Sequence, residues 1–111
     1  SNEILNTGCN VKYIYNESNK LFDKIKNEIF GCYQSQKKLI FNVTEFSNLY
    51  LLENEDNPEQ AINHMINVTI IMLRKVFVDS KIYYQERNIT NLYGHNQMYK
   101  CIVIDWFDDN I

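Results

Sequence analysis

A chain of 111 residues, 45% of them apolar, with a formal net charge of −3, is sized and composed for one self-supporting domain. Its 11 basic and 14 acidic side chains form no basic stripe, which speaks against binding to nucleic acid, where phosphate neutralisation supplies most of the affinity. No run of ~20 apolar residues exists, so no membrane-spanning helix is expected. Three glycines and one proline imply long regular elements joined by short connections.

Residues 1–10 have no hydrophobic period and are expected to form a loose N-terminal segment. Val11, Tyr13 and Tyr15 alternate with Lys12 and Ile14, a strand pattern rich in β-formers. A turn over 16–19, with Ser18 as N-cap, then leads into a helix over 19–30. Leu21, Phe22, Ile25 and Ile29 share one of its faces. Gly31 suits the left-handed conformation that ends a helix. Residues 34–38 form a polar connection. Residues 39–44, Leu-Ile-Phe-Asn-Val-Thr, predict a strand buried on both faces, and residues 46–52 a further strand.

The dominant element is a helix over 57–77. Asn57 supplies an N-cap and Pro58 the first helical position, where no N–H is needed. Glu59 in the first turn and Arg74 and Lys75 in the last complement the helix dipole. Ala61, Ile62, Met65, Ile66, Val68, Thr69, Ile70, Met72, Leu73, Val76 and Phe77 fall on one arc at ~100° per residue, with only Ile71 outside it. An arc that wide needs a platform, a sheet with a second helix beside it. Asn63, His64 and Asn67 lie on the opposite, polar side. Residues 81–86 then alternate as a strand with one wetter face, residues 94–97 form a turn with Gly94 first, and residues 98–107 predict a strand. Its Cys101, Ile102, Val103 and Ile104 are apolar on both faces, which predicts a central place in the sheet. The expected order is β-α-β-β-α-β-β: an α+β fold with a mainly antiparallel sheet of four to five strands and two helices on one face.

No catalytic, metal or nucleotide motif stands out. His64 has Gln60 and Val68 at the helical ligand spacings, so it has no metal partner, and no glycine-rich loop cradles phosphate; neither metal nor cofactor is expected. The charge is unevenly spread. Residues 1–52 hold six bases and five acids, residues 60–111 five of each, and residues 53–59 four acids and no base. The whole deficit therefore sits in Glu53, Glu55, Asp56 and Glu59. A second acidic group, Asp105, Asp108 and Asp109, flanks Trp106 and Phe107. Acids interleaved with aromatics suit docking of a basic protein, because charge speeds encounter and aromatic anchors hold it.

The leading expectation is thus a small acidic binding protein, an inhibitor or immunity-type protein covering a basic partner such as a nuclease toxin. Its contact residues would be Glu53, Glu55, Asp56, Glu59, Asp105, Trp106, Asp108 and Asp109. One alternative is a small RNase-like enzyme with His95 as general base and Lys100 or Arg87 stabilising phosphate charge. Three cysteines, Cys9, Cys32 and Cys101, without a Cys-x-x-Cys, fit a reduced cytoplasmic chain. Four Asn-x-Ser/Thr sequons, beginning at Asn16, Asn42, Asn67 and Asn88, give the other alternative, a domain of a secreted glycoprotein. Oligomeric state is not legible.

Overall fold

The computed structural model describes residues 11–44 and 58–106. Among them are five elements: α1 (Val11–Cys32), β1 (Lys38–Asn42), α2 (Pro58–Val76), β2 (Lys81–Thr90) and β3 (Asn96–Asp105). The fold is α+β, as expected, with both helices packed over an antiparallel sheet whose strand order is β1-β3-β2. Three strands are described rather than four to five. The strand expected over 46–52 and the acidic loop before α2 lie outside the described residues.

The expected strand over 11–15 is instead the start of α1. Ile14, Ser18, Leu21, Ile25 and Ile29 form one buried stripe, so the helical period reaches back into the strand-like alternation over 11–15 and wins through burial. Ser18 is no N-cap. It sits inside the helix, fully buried, and its hydroxyl donates to the Ile14 carbonyl at 2.7 Å. Gly31 also lies within α1, and the helix runs one residue past it. The chain leaves α1 through Cys32, whose carbonyl accepts from the Ser35 and Gln36 N–H groups at 3.0 and 2.9 Å.

The helix α2 forms as its arc predicts, with Glu59 in its first turn and Arg74 and Lys75 in its last; the N-cap expected at Asn57 lies outside the described residues. Ile71 is exposed as expected; Val76 is equally exposed, at 52%, although the arc includes it. Ala61, Met65, Ile66, Ile70 and Leu73 are buried against Leu21, Ile25 and Ile29 of α1 and against Phe41, Ile82, Ile102 and Ile104 of the sheet. The two helices run parallel. Near their starts Ser18 Oγ lies 3.4 Å from the Met65 carbonyl, and just beyond α2 the Phe77 ring meets Phe30 edge-on at 6.2 Å. Each helix turns back into the strand that follows it, and β3 lies antiparallel between those strands.

The strand β3 is central, and Cys101 to Ile104 are buried in succession. Among the described residues β1 lies at an edge of the sheet, and it is only partly buried, contrary to the expectation of burial on both faces: Phe41 is in the core under the helices, while Lys38 is exposed and Leu39, Ile40 and Asn42 are half-buried. The hairpin from β2 to β3 turns over 91–95. Asn91 N–H donates to the His95 carbonyl at 2.8 Å and Gly94 N–H to the Asn91 carbonyl at 3.0 Å, with Gly94 at φ 79°. The glycine that needs positive φ is therefore Gly94, at the end of a three-residue loop rather than at the start of the turn.

Candidate functional site

The sheet's alternation sorts the functional side chains. Ile82, Tyr84 and Glu86 of β2 pair with Ile104, Ile102 and Lys100 of β3, and this set faces the helices. Near the start of α2 the sheet and helix part, leaving a cleft of about 340 Å³ lined by Val43, Thr44, Glu59, Ile62, Glu86, Met98 and Lys100. Beside it is a hollow of about 300 Å³, on the α2 side of Tyr84 and Glu86.

Lys100, Glu59 and Glu86 line both spaces. The Lys100 ammonium lies 3.7 Å from Glu59 Oε1, donates to Asn63 Oδ1 at 3.4 Å, and stands 5.9 Å from the centre of the Tyr84 ring. Its backbone is fixed at the sheet margin: Lys100 N–H donates to Thr44 Oγ1 at 3.0 Å, and its carbonyl accepts from Val43 N–H at 2.8 Å. Glu86 stands opposite Lys100 across the ladder and accepts the Tyr84 hydroxyl at 3.1 Å. Burial, reinforced by that bond to the Glu86 carboxylate, pushes the Tyr84 hydroxyl up to about 12. Tyr84 is thus held as a neutral donor.

Two carboxylates, Glu59 and Glu86, therefore face one ammonium. Both are exposed, whereas Lys100 is largely covered. The site combines surplus negative charge with walls of Tyr84, Ile62 and Met98. Tyr84, Glu86 and Asn63 were not marked by the sequence. The period-two alternation of β2 puts Tyr84 and Glu86 on one face, but only the ladder register brings them to Lys100.

Of the residues expected to contact a partner, Glu59 is in this cleft. Asp105 and Trp106 lie five and six residues from Lys100 along the chain, roughly 17–20 Å away at ~3.3 Å per residue. Asp105 stands between Lys38 and Lys81 in the two ladders, so its charge is flanked by bases. The Trp106 indole N–H donates to the Gln36 carbonyl at 2.8 Å and ties β3 to the turn after α1. Glu53, Glu55, Asp56, Asp108 and Asp109 lie outside the described residues. Glu59 thus lies at the cleft, and Asp105 and Trp106 lie toward the other end of the sheet.

His95, Lys100 and Arg87 are not brought together. His95 is in the hairpin turn, roughly 17 Å along β3 from Lys100. Arg87 pairs with Tyr99 on the opposite face from Lys100. Among the described residues no group of three or more His, Cys, Asp or Glu side chains is placed to hold a metal ion, and no helix is long and apolar enough to cross a membrane. His64 is exposed on α2. Cys32 is half-buried at the end of α1 and Cys101 is buried in β3. The hydroxyls of three sequons are held within the fold: Ser18 on the Ile14 carbonyl, Thr44 on Lys100 N–H and Thr69 on the Met65 carbonyl at 2.7 Å. No protein-family model, curated protein or solved structure matches the chain.

Proposed function

We propose that this is a binding module that docks a basic segment of a protein partner at the cleft between α2 and the β2–β3 ladder. The observation that supports it is the imbalance of charge inside a concave site: Glu59 and Glu86 are exposed and line it together with one cation, Lys100, which pairs with Glu59. A partner's lysine or arginine completes the set, with the Tyr84 ring and hydroxyl alongside. The extended form of this proposal is an inhibitor or immunity-type protein whose partner is a basic nuclease toxin. This form places the protein in the cytoplasm, the setting that three cysteines without a Cys-x-x-Cys suit. The separation of His95, Lys100 and Arg87 lends no support to the RNase-like alternative.

The test is affinity capture from cells of the source, with wild-type chain and a Glu59→Lys/Glu86→Lys double variant as parallel baits. A stoichiometric basic protein held by the wild type and lost by the variant is expected, and any nuclease activity of that protein should fall on binding. Recovery of the wild type as free chain, or equal capture by both baits, would refute the proposal.

A further inference from the structure

Among the described residues no strand pairs with the outer edge of β2, beside this cleft. Asn91 and His95 form a hydrogen-bonded pair, and such pairs alternate along an antiparallel ladder. The odd-numbered residues of β2 therefore bond β3, and the even-numbered ones turn N–H and C=O outward. The β1 side agrees, since the even-numbered Lys100 of β3 bonds Val43. The outward carbonyl of Ile82 is covered by Arg74, which donates from Nε at 3.0 Å and Nη2 at 2.6 Å. Beyond that plug, the outward groups of Tyr84, Glu86, Asn88 and Thr90 have no backbone partner among the described residues, and the last three residues are exposed.

This free edge faces a helix. Asn63 and Asn67 lie one turn apart on α2 and, with Glu59, wall the hollow of about 300 Å³ whose other side is Tyr84, Glu86 and Lys100. A groove between an edge strand and a helix, closed at one end by Arg74, is the setting in which an extended segment adds to a sheet. Backbone bonds supply affinity there and alternate side chains supply specificity.

We infer that the partner segment adds to β2 over residues 84–90 as a further strand, with a lysine or arginine beside Glu86 on the α2 side. This rests on the binding-module proposal and specifies its geometry. The charge of the groove selects the occupant, because Glu59 and Glu86 oppose one lysine. It also disfavours a second copy of the chain. Antiparallel pairing of β2 with itself centred on Glu86 sets Glu86 against Glu86, and centred on Arg87 it sets Arg87 against Arg87, like charges directly opposite. Centring on Asn88 avoids this but brings Tyr84 opposite Leu92, inside the turn, and leaves only residues 86–90 to pair.

The probe is a blocked heptapeptide of alternating threonine and valine with a central arginine, compared with the same peptide carrying a central glutamate. The arginine peptide is expected to bind at least tenfold more tightly. It should slow amide exchange at Tyr84, Glu86, Asn88 and Thr90, while Gln85, Arg87 and Ile89, already bonded to β3, stay unchanged. Asn88→Pro removes an outward N–H without touching the β3 ladder, so the chain should keep its fold and lose at least tenfold in affinity. Equal binding of the two peptides would overturn the inference. So would slowed exchange that appears without peptide and grows with protein concentration, which is self-pairing. Arginine-selective binding with no slowing at the four amides overturns strand addition while leaving the basic-partner proposal standing. Failure of the capture experiment alone would sink that proposal and not the groove's affinity for the peptide.

Discussion

Replacing Arg74 by methionine isolates the plug at the end of the free edge. Methionine keeps much of the aliphatic stem and removes both donors to the Ile82 carbonyl. A hydrogen bond from a charged group contributes ~1.5–3 kcal/mol when its acceptor stays dry. Here Arg74 is exposed at the sheet margin, so water reaches the freed carbonyl and the net loss should be about 1 kcal/mol. With an unfolding entropy near 2.1 cal/mol/K per residue, that lowers Tm by about 4 °C. Arg74→Lys, which retains charge but not the forked geometry, should fall between the two. The second consequence is association. Freeing Ile82 lengthens the exposed edge, and exposed edges template pairing between chains. Thermal denaturation followed by circular dichroism reads the first effect, and light scattering over a concentration series reads the second. An Arg74→Met variant with wild-type Tm that stays monomeric at high concentration would refute the account of Arg74 as an edge plug.

Other substitutions test the remaining structural claims. Gly31→Ala, inside α1 with open space around the added methyl, should stabilise by up to ~0.5–1 kcal/mol, whereas Gly94→Ala should cost ~1–2 kcal/mol because its φ of 79° strains any L side chain; urea denaturation compares them, and the reverse order would return the left-handed role to Gly31. The folded chain holds the Tyr84 proton more tightly than the unfolded chain, whose tyrosine stays at its ordinary 10. Its contribution is therefore complete below pH 10 and lost as pH rises through about 12. The stability difference between wild type and Tyr84→Phe should shrink over that window, and a difference that stays constant would contradict the bond to Glu86. Lys100→Met leaves Glu59 without its counter-ion, removes the one cation lining the cleft beside Glu86, and should tighten the arginine peptide severalfold in a titration; weaker binding would show that Lys100 itself holds the ligand.

Much of the architecture is legible in local pattern. The wide arc of α2 determines that it is a helix and that it needs both a sheet and a second helix. The apolar run at Cys101 to Ile104 determines that β3 is central. These features depend on spacing along one element, which a sequence displays directly. The start of α1 was not legible in the same way, because Val11, Tyr13 and Tyr15 alternate as a strand does while Ile14, Ser18 and Leu21 follow the helical period. Both patterns occupy the same residues. Burial of Ile14 and Ser18 against the second helix decides between them, and burial is a tertiary quantity.

The site divides along the same line. The sequence by itself placed an acidic group at the entry to α2, and Glu59 does stand in the cleft. It grouped Asp105 and Trp106 with the surface acids; in the fold Asp105 stands between two cross-strand lysines and the Trp106 indole donates to the Gln36 carbonyl. It linked His95 with Arg87 and Lys100 by closeness in the chain, and the pleat sends the last two to opposite faces. What only the tertiary structure decided is the meeting of Glu59, Asn63, Tyr84, Glu86 and Lys100, and the free edge beside them. A ladder's register and the placing of a helix over a strand depend on pairs of residues far apart in the chain. No local period encodes them.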